Sequence, residues 1–145
     1  MYLVDTNVLS VGAPGRRARS AELVNWMNAR SDELFVSTVT IAEVSDGIAR
    51  LKRTGASARA TRITDWLNLV LHLYSDRVIP FDIAAARQAG LLMDRARAMG
   101  HSPGFADLAI AATAASRNLT VLTRNLRHFA PLGIRAANPF ETLPV

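Results

Sequence analysis

The chain has no cysteine, so neither a disulfide framework nor a thiolate metal site is open to it. That absence agrees with a reducing compartment. Aromatic residues are scarce at 6%. The two tryptophans, Trp26 and Trp66, lie in apolar helical patterns, which assigns them to a core or a subunit interface ahead of a base-stacking platform. No apolar run approaches the roughly 18 residues that a spanning helix needs. The opening Met1-Tyr2-Leu3-Val4-Asp5 has neither the basic start nor the apolar stretch of a secretory signal, so a soluble, cytoplasmic protein without membrane contact is expected. The three histidines, His72, His101 and His128, show no metal-ligand spacing.

Lysine is nearly absent as well: Lys52 stands alone among 17 basic residues, and the rest are arginine. The net charge of +5 and the planar, phosphate-matching guanidinium suit a polyanionic partner. A base-composition bias that inflates Arg and Ala together explains the same excess equally well. With 145 residues, half of them apolar, the chain can bury one real core.

Short β-prone runs alternate with helical patterns. Tyr2–Val4 ends at Asp5, and a short helix is expected over 7–11 ahead of the loop Ala13-Pro14-Gly15-Arg16-Arg17. Ser20 is placed to cap a helix on which Leu23, Val24, Trp26 and Met27 recur. After a strand at 34–37, the spacing of Ile41, Val44, Ile48 and Leu51 predicts a helix over 40–53, stopped by Gly55. Another follows over 57–74, carrying Ile63, Trp66, Leu67, Val70 and Leu71. A strand at 78–81 leads to Asp82, read as the cap of a helix that Gly100 ends. An Ala-rich helix over 105–117, a strand at 120–123 and a last one at 134–136 complete the chain. Such alternation implies a parallel α/β sheet with helices on both faces. Without repeats or linkers, residues 1–145 read as one domain.

In such a sheet, ligands collect beyond the C-terminal ends of the strands. Chain order delivers three acids there: Asp5 directly after strand one, Glu43 one turn into the helix after strand two, and Asp107 in the first turn of the helix before strand four. Capping explains Asp5, and the helix dipole explains Asp107, without any function. Glu43 is harder to dismiss, because a carboxylate flanked by Ile41, Ala42 and Val44 needs a cation or hydrogen-bond partners. Three converging carboxylates would repel one another unless a divalent ion joined them. Mg²⁺ and Mn²⁺ take hard oxygen ligands, and Mg²⁺ keeps waters that can become nucleophiles.

The run Leu3-Val4-Asp5-Thr6-Asn7-Val8-Leu9-Ser10 resembles the opening of a PIN domain, where "DTN" follows the first strand. Thr40-Ile41-Ala42-Glu43-Val44 is similar to the second motif, and Ala106-Asp107-Leu108-Ala109-Ile110-Ala111-Ala112-Thr113-Ala114 to the third. Val121-Leu122-Thr123-Arg124-Asn125 and the tail Asn138-Pro139-Phe140-Glu141 resemble the last two. Five motifs in order span essentially the whole chain and resemble the VapC and FitB-like toxins of that family. The resemblance implies a three-layer α/β/α fold with a four- or five-stranded parallel sheet. It implies a Mg²⁺ or Mn²⁺ site and a catalytic centre built from Asp5, Glu43 and Asp107, with Asn7, Thr123 and Asn125 as supporting polar groups. It further implies a homodimeric endoribonuclease toxin that cleaves RNA (tRNA, rRNA or mRNA), halts translation, and is silenced by a VapB-like antitoxin. Silencing is expected through an arginine inserted among the carboxylates, with burial of apolar surface near Trp26 or Val44.

Asn125 departs from the family, whose members often carry Asp there, and the later position that is sometimes acidic holds His128. Three carboxylates in place of four favour one firmly held ion over two. Asp46, three residues beyond Glu43, could replace the missing acid, although a solvated helix residue is the simpler reading. Arg16, Arg17 and Arg19, in the loop after the first motif, and Arg124, within the fourth, are the candidates for RNA contact. From a different functional class, a PIN domain that binds RNA or antitoxin without cutting is the rival, and Asn125 favours it. A flap or DNA-repair nuclease would carry more acidic residues and further helical regions.

Overall fold

The computed structural model describes residues 1–15 and 21–145. Five parallel strands form one sheet in the order β3-β2-β1-β4-β5. They are β1 (Tyr2–Val4), β2 (Leu34–Ser37), β3 (Val78–Ile79), β4 (Thr120–Leu122) and β5 (Ala136–Ala137). The main helices are α1 (Thr6–Leu9), α2 (Ala21–Ala29), α3 (Thr38–Arg53), α4 (Ser57–Leu73), α5 (Ile83–Ala98), α6 (Phe105–Ser116) and α7 (Leu126–Phe129).

The two-residue period of the strands sorts their side chains between two layers. Leu3, Phe35 and Val121 meet α5 and α6 on one face, while Val4, Leu34, Val36 and Leu122 meet Val8, Leu9, Leu23 and Met27 on the other. The three central strands are apolar on both faces, as a sheet covered on both sides requires. On α6, Ala109, Ala111, Ala112 and Ala114 are all fully buried. Side chains that small let this helix lie close to the sheet and to Ala85, Ala89 and Ala96 of α5. A third cluster, Val44, Ile48, Ala60 and Leu67, joins α3 to α4 as their apolar spacing requires.

The helix ends follow the expected signals. Asp82 caps α5, its Oδ1 accepting the Ala85 N–H at 2.9 Å. Gly55 and Gly100, just past α3 and α5, adopt φ of +85° and +78°, a conformation only glycine takes cheaply. β3 closes at Ile79 and β5 starts at Ala136, so both edge strands differ from expectation by about two residues, where pairing on one side only gives a weak local signal. α7 was not anticipated; four residues are too few to show a helical period. Ser20, read as a cap, lies outside the described residues.

The chain runs outward from β1 to β2 and β3, then crosses back to β4 and β5. The order therefore reverses between β1 and β4, which is where a doubly wound sheet opens a crevice at its C-terminal edge.

Candidate active site

Asp5 is the residue that leaves β1 at this crevice. Its N–H still pairs with Leu122 O at 3.0 Å, extending the sheet, while its side chain turns to cap α1. Oδ1 accepts the Thr6 N–H at 2.8 Å; Oδ2 accepts from Asn7 Nδ2 at 2.6 Å and from Thr123 Oγ1 at 2.7 Å. Thr123 is fully buried beyond the end of β4 and also accepts the Asn125 N–H at 3.0 Å. Asn7 Oδ1 in turn accepts the Arg124 N–H at 2.9 Å. The first and fourth motifs are thus tied together by side-chain hydrogen bonds across the β1–β4 junction.

Ser37 ends β2 and caps α3 by accepting the Val39 N–H at 3.1 Å. That fixed start carries Glu43 round to the same edge, where its Oε2 accepts a hydrogen bond from Thr6 Oγ1. Thr6 was missed at the sequence level. It sits inside the "DTN" run, and only the fold reveals that its hydroxyl serves the second motif while its N–H serves Asp5. Asp107 lies in the first turn of α6 behind Gly104, which contributes no side-chain cap.

The charges of these groups bear on one another. Burial pushes the Asp5 carboxyl above its ordinary value, against the hydrogen bonds from Thr123, Thr6 and Asn7, and the negative charge of Asp107 adds to the rise. Burial likewise raises Glu43, with Thr6 opposing and both Asp5 and Asp107 contributing repulsion. Among the described residues, no arginine or lysine pairs with any of the three. Glu43 Oε1 and Asp107 Oδ1 receive no hydrogen bond there either. Hard oxygen donors with uncompensated charge and open lone pairs fit a divalent cation. Among the described residues no three His, Asp or Glu side chains enclose one ion by themselves, so water or substrate oxygens must complete the coordination of any ion held there.

The remaining candidates separate. Asp46 pairs with Arg50 at 3.0 Å on the exposed side of α3, so the solvated reading describes it. Arg124 stacks its guanidinium 3.9 Å over the Phe140 ring. Asn125 precedes α7 and gives it no side-chain cap. Arg16, Arg17 and Arg19 lie outside the described residues. His128, set aside on spacing, places Nδ1 3.0 Å from Asp107 Oδ2. Trp26 packs edge-on to Tyr2 and donates Nε1–H to Pro144 O at 3.1 Å, so the chain's own tail lies against it. Trp66 packs between two core clusters. A cleft of 820 Å³ opens on Glu43 between α3 and Phe105 of α6. A second, of 450 Å³, runs from Glu43 over Val44 and Ile63 to Trp66.

A doubly wound parallel sheet with acids gathered at its switch point defines a class of α/β proteins with a carboxylate centre. The PIN domain family matches residues 2–132, and the chain belongs to that family. It is 37% identical over 145 residues to the plasmid stability protein StbB of Pseudomonas syringae pv. tomato, covering 97% of this chain and 99% of that one. It is 35% identical to the VapC ribonuclease Y4jK of Sinorhizobium fredii, with the same coverage. Toxin FitB of Neisseria gonorrhoeae is 30% identical, and the crystal structure of FitAcB from that organism superposes with a TM-score of 0.84 over 97% of this chain and 99% of the other. The three-layer fold and the VapC/FitB resemblance both stand. No helix among the described residues is long and apolar enough to cross a membrane.

Proposed function

We propose that the chain is a divalent-metal-dependent endoribonuclease, the toxin of a toxin–antitoxin pair that acts on cytoplasmic RNA. The observation that carries this is the set of three carboxylates, Asp5, Glu43 and Asp107, with the charge of Asp107 bearing on the other two and no arginine or lysine paired to any of them among the described residues. The relatives named ribonuclease and toxin support the reaction class and the role. When bound, a Mg²⁺ or Mn²⁺ ion supplies positive charge opposite the scissile phosphate and acidifies a nearby water. The chain's own residues do the rest. Thr123 and Asn7 hold Asp5 in one orientation, and Thr6 holds Glu43. Glu43, its proton affinity raised by burial, is suited to accept a proton from the attacking water at its carboxylate.

A VapB-like antitoxin silences this centre by placing an arginine among the carboxylates. Its apolar part covers the groove from Val44 to Trp66; the region around Trp26 is the poorer choice, since the tail already lies there. Leu69 and Leu73 on α4 are exposed apolar side chains, as are Ile83 and Leu91 on α5, and the second copy of a homodimer would cover apolar surface of this kind.

The test is cleavage of single-stranded RNA with Mg²⁺ or Mn²⁺, with and without EDTA, by the parent and by Asp5→Asn and Asp107→Asn. Cleavage that requires the metal and disappears in both variants is expected. Activity that persists in EDTA with all three acids neutralised would contradict the assignment. Asn125, an amide at an often acidic position, favours one rival, a PIN domain that binds without cutting. RNA binding without cleavage at any metal concentration would establish that rival.

A further inference from the structure

His128 touches Asp107, and the reading above leaves it unused. Its place is well fixed: Phe129, next in sequence, is fully buried and anchors α7 in the core cluster that α6 also lines. Nδ1 stands 3.0 Å from Asp107 Oδ2, with the two side chains 41% and 29% exposed. Both line a cavity of 430 Å³ together with His101, Ser102 and Arg127.

We propose that His128 is a ligand to the ion held at Asp107, making this centre a mixed oxygen–nitrogen site that prefers Mn²⁺ or a later first-row ion to Mg²⁺. This rests on the metal-centre reading of the previous subsection. The bite is right: neighbouring ligands on an octahedral ion with bonds of about 2.1 Å lie about 3.0 Å apart. An ion can therefore come within reach of both atoms with little side-chain movement, Nδ1 offering its lone pair in the tautomer that carries the ring hydrogen on Nε2. Imidazole suits the later transition metals, whereas Mg²⁺ favours carboxylate and water oxygens. Nitrogen ligation also explains how the centre works without a fourth acid. The Asn125 side chain is a neutral amide and brings no charge to the centre. Asp107 and His128 would fill two positions. The open cavity leaves room for waters and an RNA phosphate at positions that the other acids do not take, and Arg127 on its wall suits that phosphate.

Pulsed EPR of Mn²⁺ bound to the full chain tests this, because a directly ligated imidazole imposes a ¹⁴N coupling. The parent should show it. His128→Gln should keep its circular dichroism, lose the coupling and bind Mn²⁺ at least about tenfold more weakly. His128→Asp should regain Mn²⁺ affinity without the coupling and shift the Mg²⁺:Mn²⁺ preference toward Mg²⁺ by about tenfold or more. Mn²⁺ bound to the parent without ¹⁴N coupling, or a coupling that survives in His128→Gln, overturns the proposal and leaves the metal centre standing. A parent that binds no Mn²⁺ overturns both.

Discussion

Asp5 and Asp107 belong to one candidate centre, yet the chain holds them by different means. Asp5 is 5% exposed and receives hydrogen bonds from a backbone N–H and from the side chains of Asn7 and Thr123. Asp107 sits on the open first turn of a helix and touches one side chain, His128. The first is fixed by the central strands before any ligand arrives, which is the preorganisation that transition-state stabilisation requires. The second is more exposed, its side chain 29% accessible and held by that one contact among the described residues. In the proposed centre the β1–β4 junction would set the geometry, and the α6–α7 side, where Asp107 meets His128, would tune what it accepts.

Substitutions can break that comparison. Asp5→Ala should have the largest effect, because it strands the donors of Thr6, Asn7 and Thr123 as well as removing the carboxylate. Loss of RNA cleavage by about a thousandfold or more is expected, together with about 1–3 kcal/mol of stability in denaturant titration. Asp107→Asn should cost as much activity but change stability by no more than about 0.5 kcal/mol, as for an ordinary surface substitution. Equal stability losses in the two variants would remove the distinction.

Protonation sharpens the comparison further. The unfolded carboxyls of Asp5 and Glu43 titrate near 3.8 and 4.5, and both are raised in the folded chain. The folded state thus holds these protons more tightly than the unfolded state. The stability they contribute is present at acid pH and is lost as pH climbs from those unfolded values through the raised folded ones. In EDTA, Glu43→Gln should raise the melting temperature at pH 7 and leave it nearly unchanged below pH 4. Thermal melts across that window check the sign, and a variant that melts lower than the parent at pH 7 would contradict it. The smallest effect belongs to Asn125. Asn125→Ala should reduce cleavage less than about tenfold, while Asn125→Asp should tighten metal binding by adding a charge to the edge of the centre.

The rigid half of the centre is also the half that could be read from sequence. Asp5 directly follows a strand whose apolar run is unmistakable, so chain order delivers it to the edge, and Asn7 and Thr123 were legible through the motifs that resemble the family's. Glu43 was legible for a different reason, as an acid among apolar neighbours that had to find a partner. The partner, Thr6, was not legible, because a threonine after a strand looks the same whether its hydroxyl meets solvent or a distant helix. His128 was hidden more deeply. It is brought to Asp107 across 21 residues by a helix too short to announce itself. The edge strands slipped because one-sided pairing leaves little pattern to read.

Calorimetric titration of Mn²⁺ into the metal-free parent and into Asp5→Asn/Asp107→Asn tests most directly whether these uncompensated carboxylates form a cation centre. Saturable binding in the parent that vanishes in the double variant is the predicted result. No binding in the parent, or the same binding in both proteins, would contradict it.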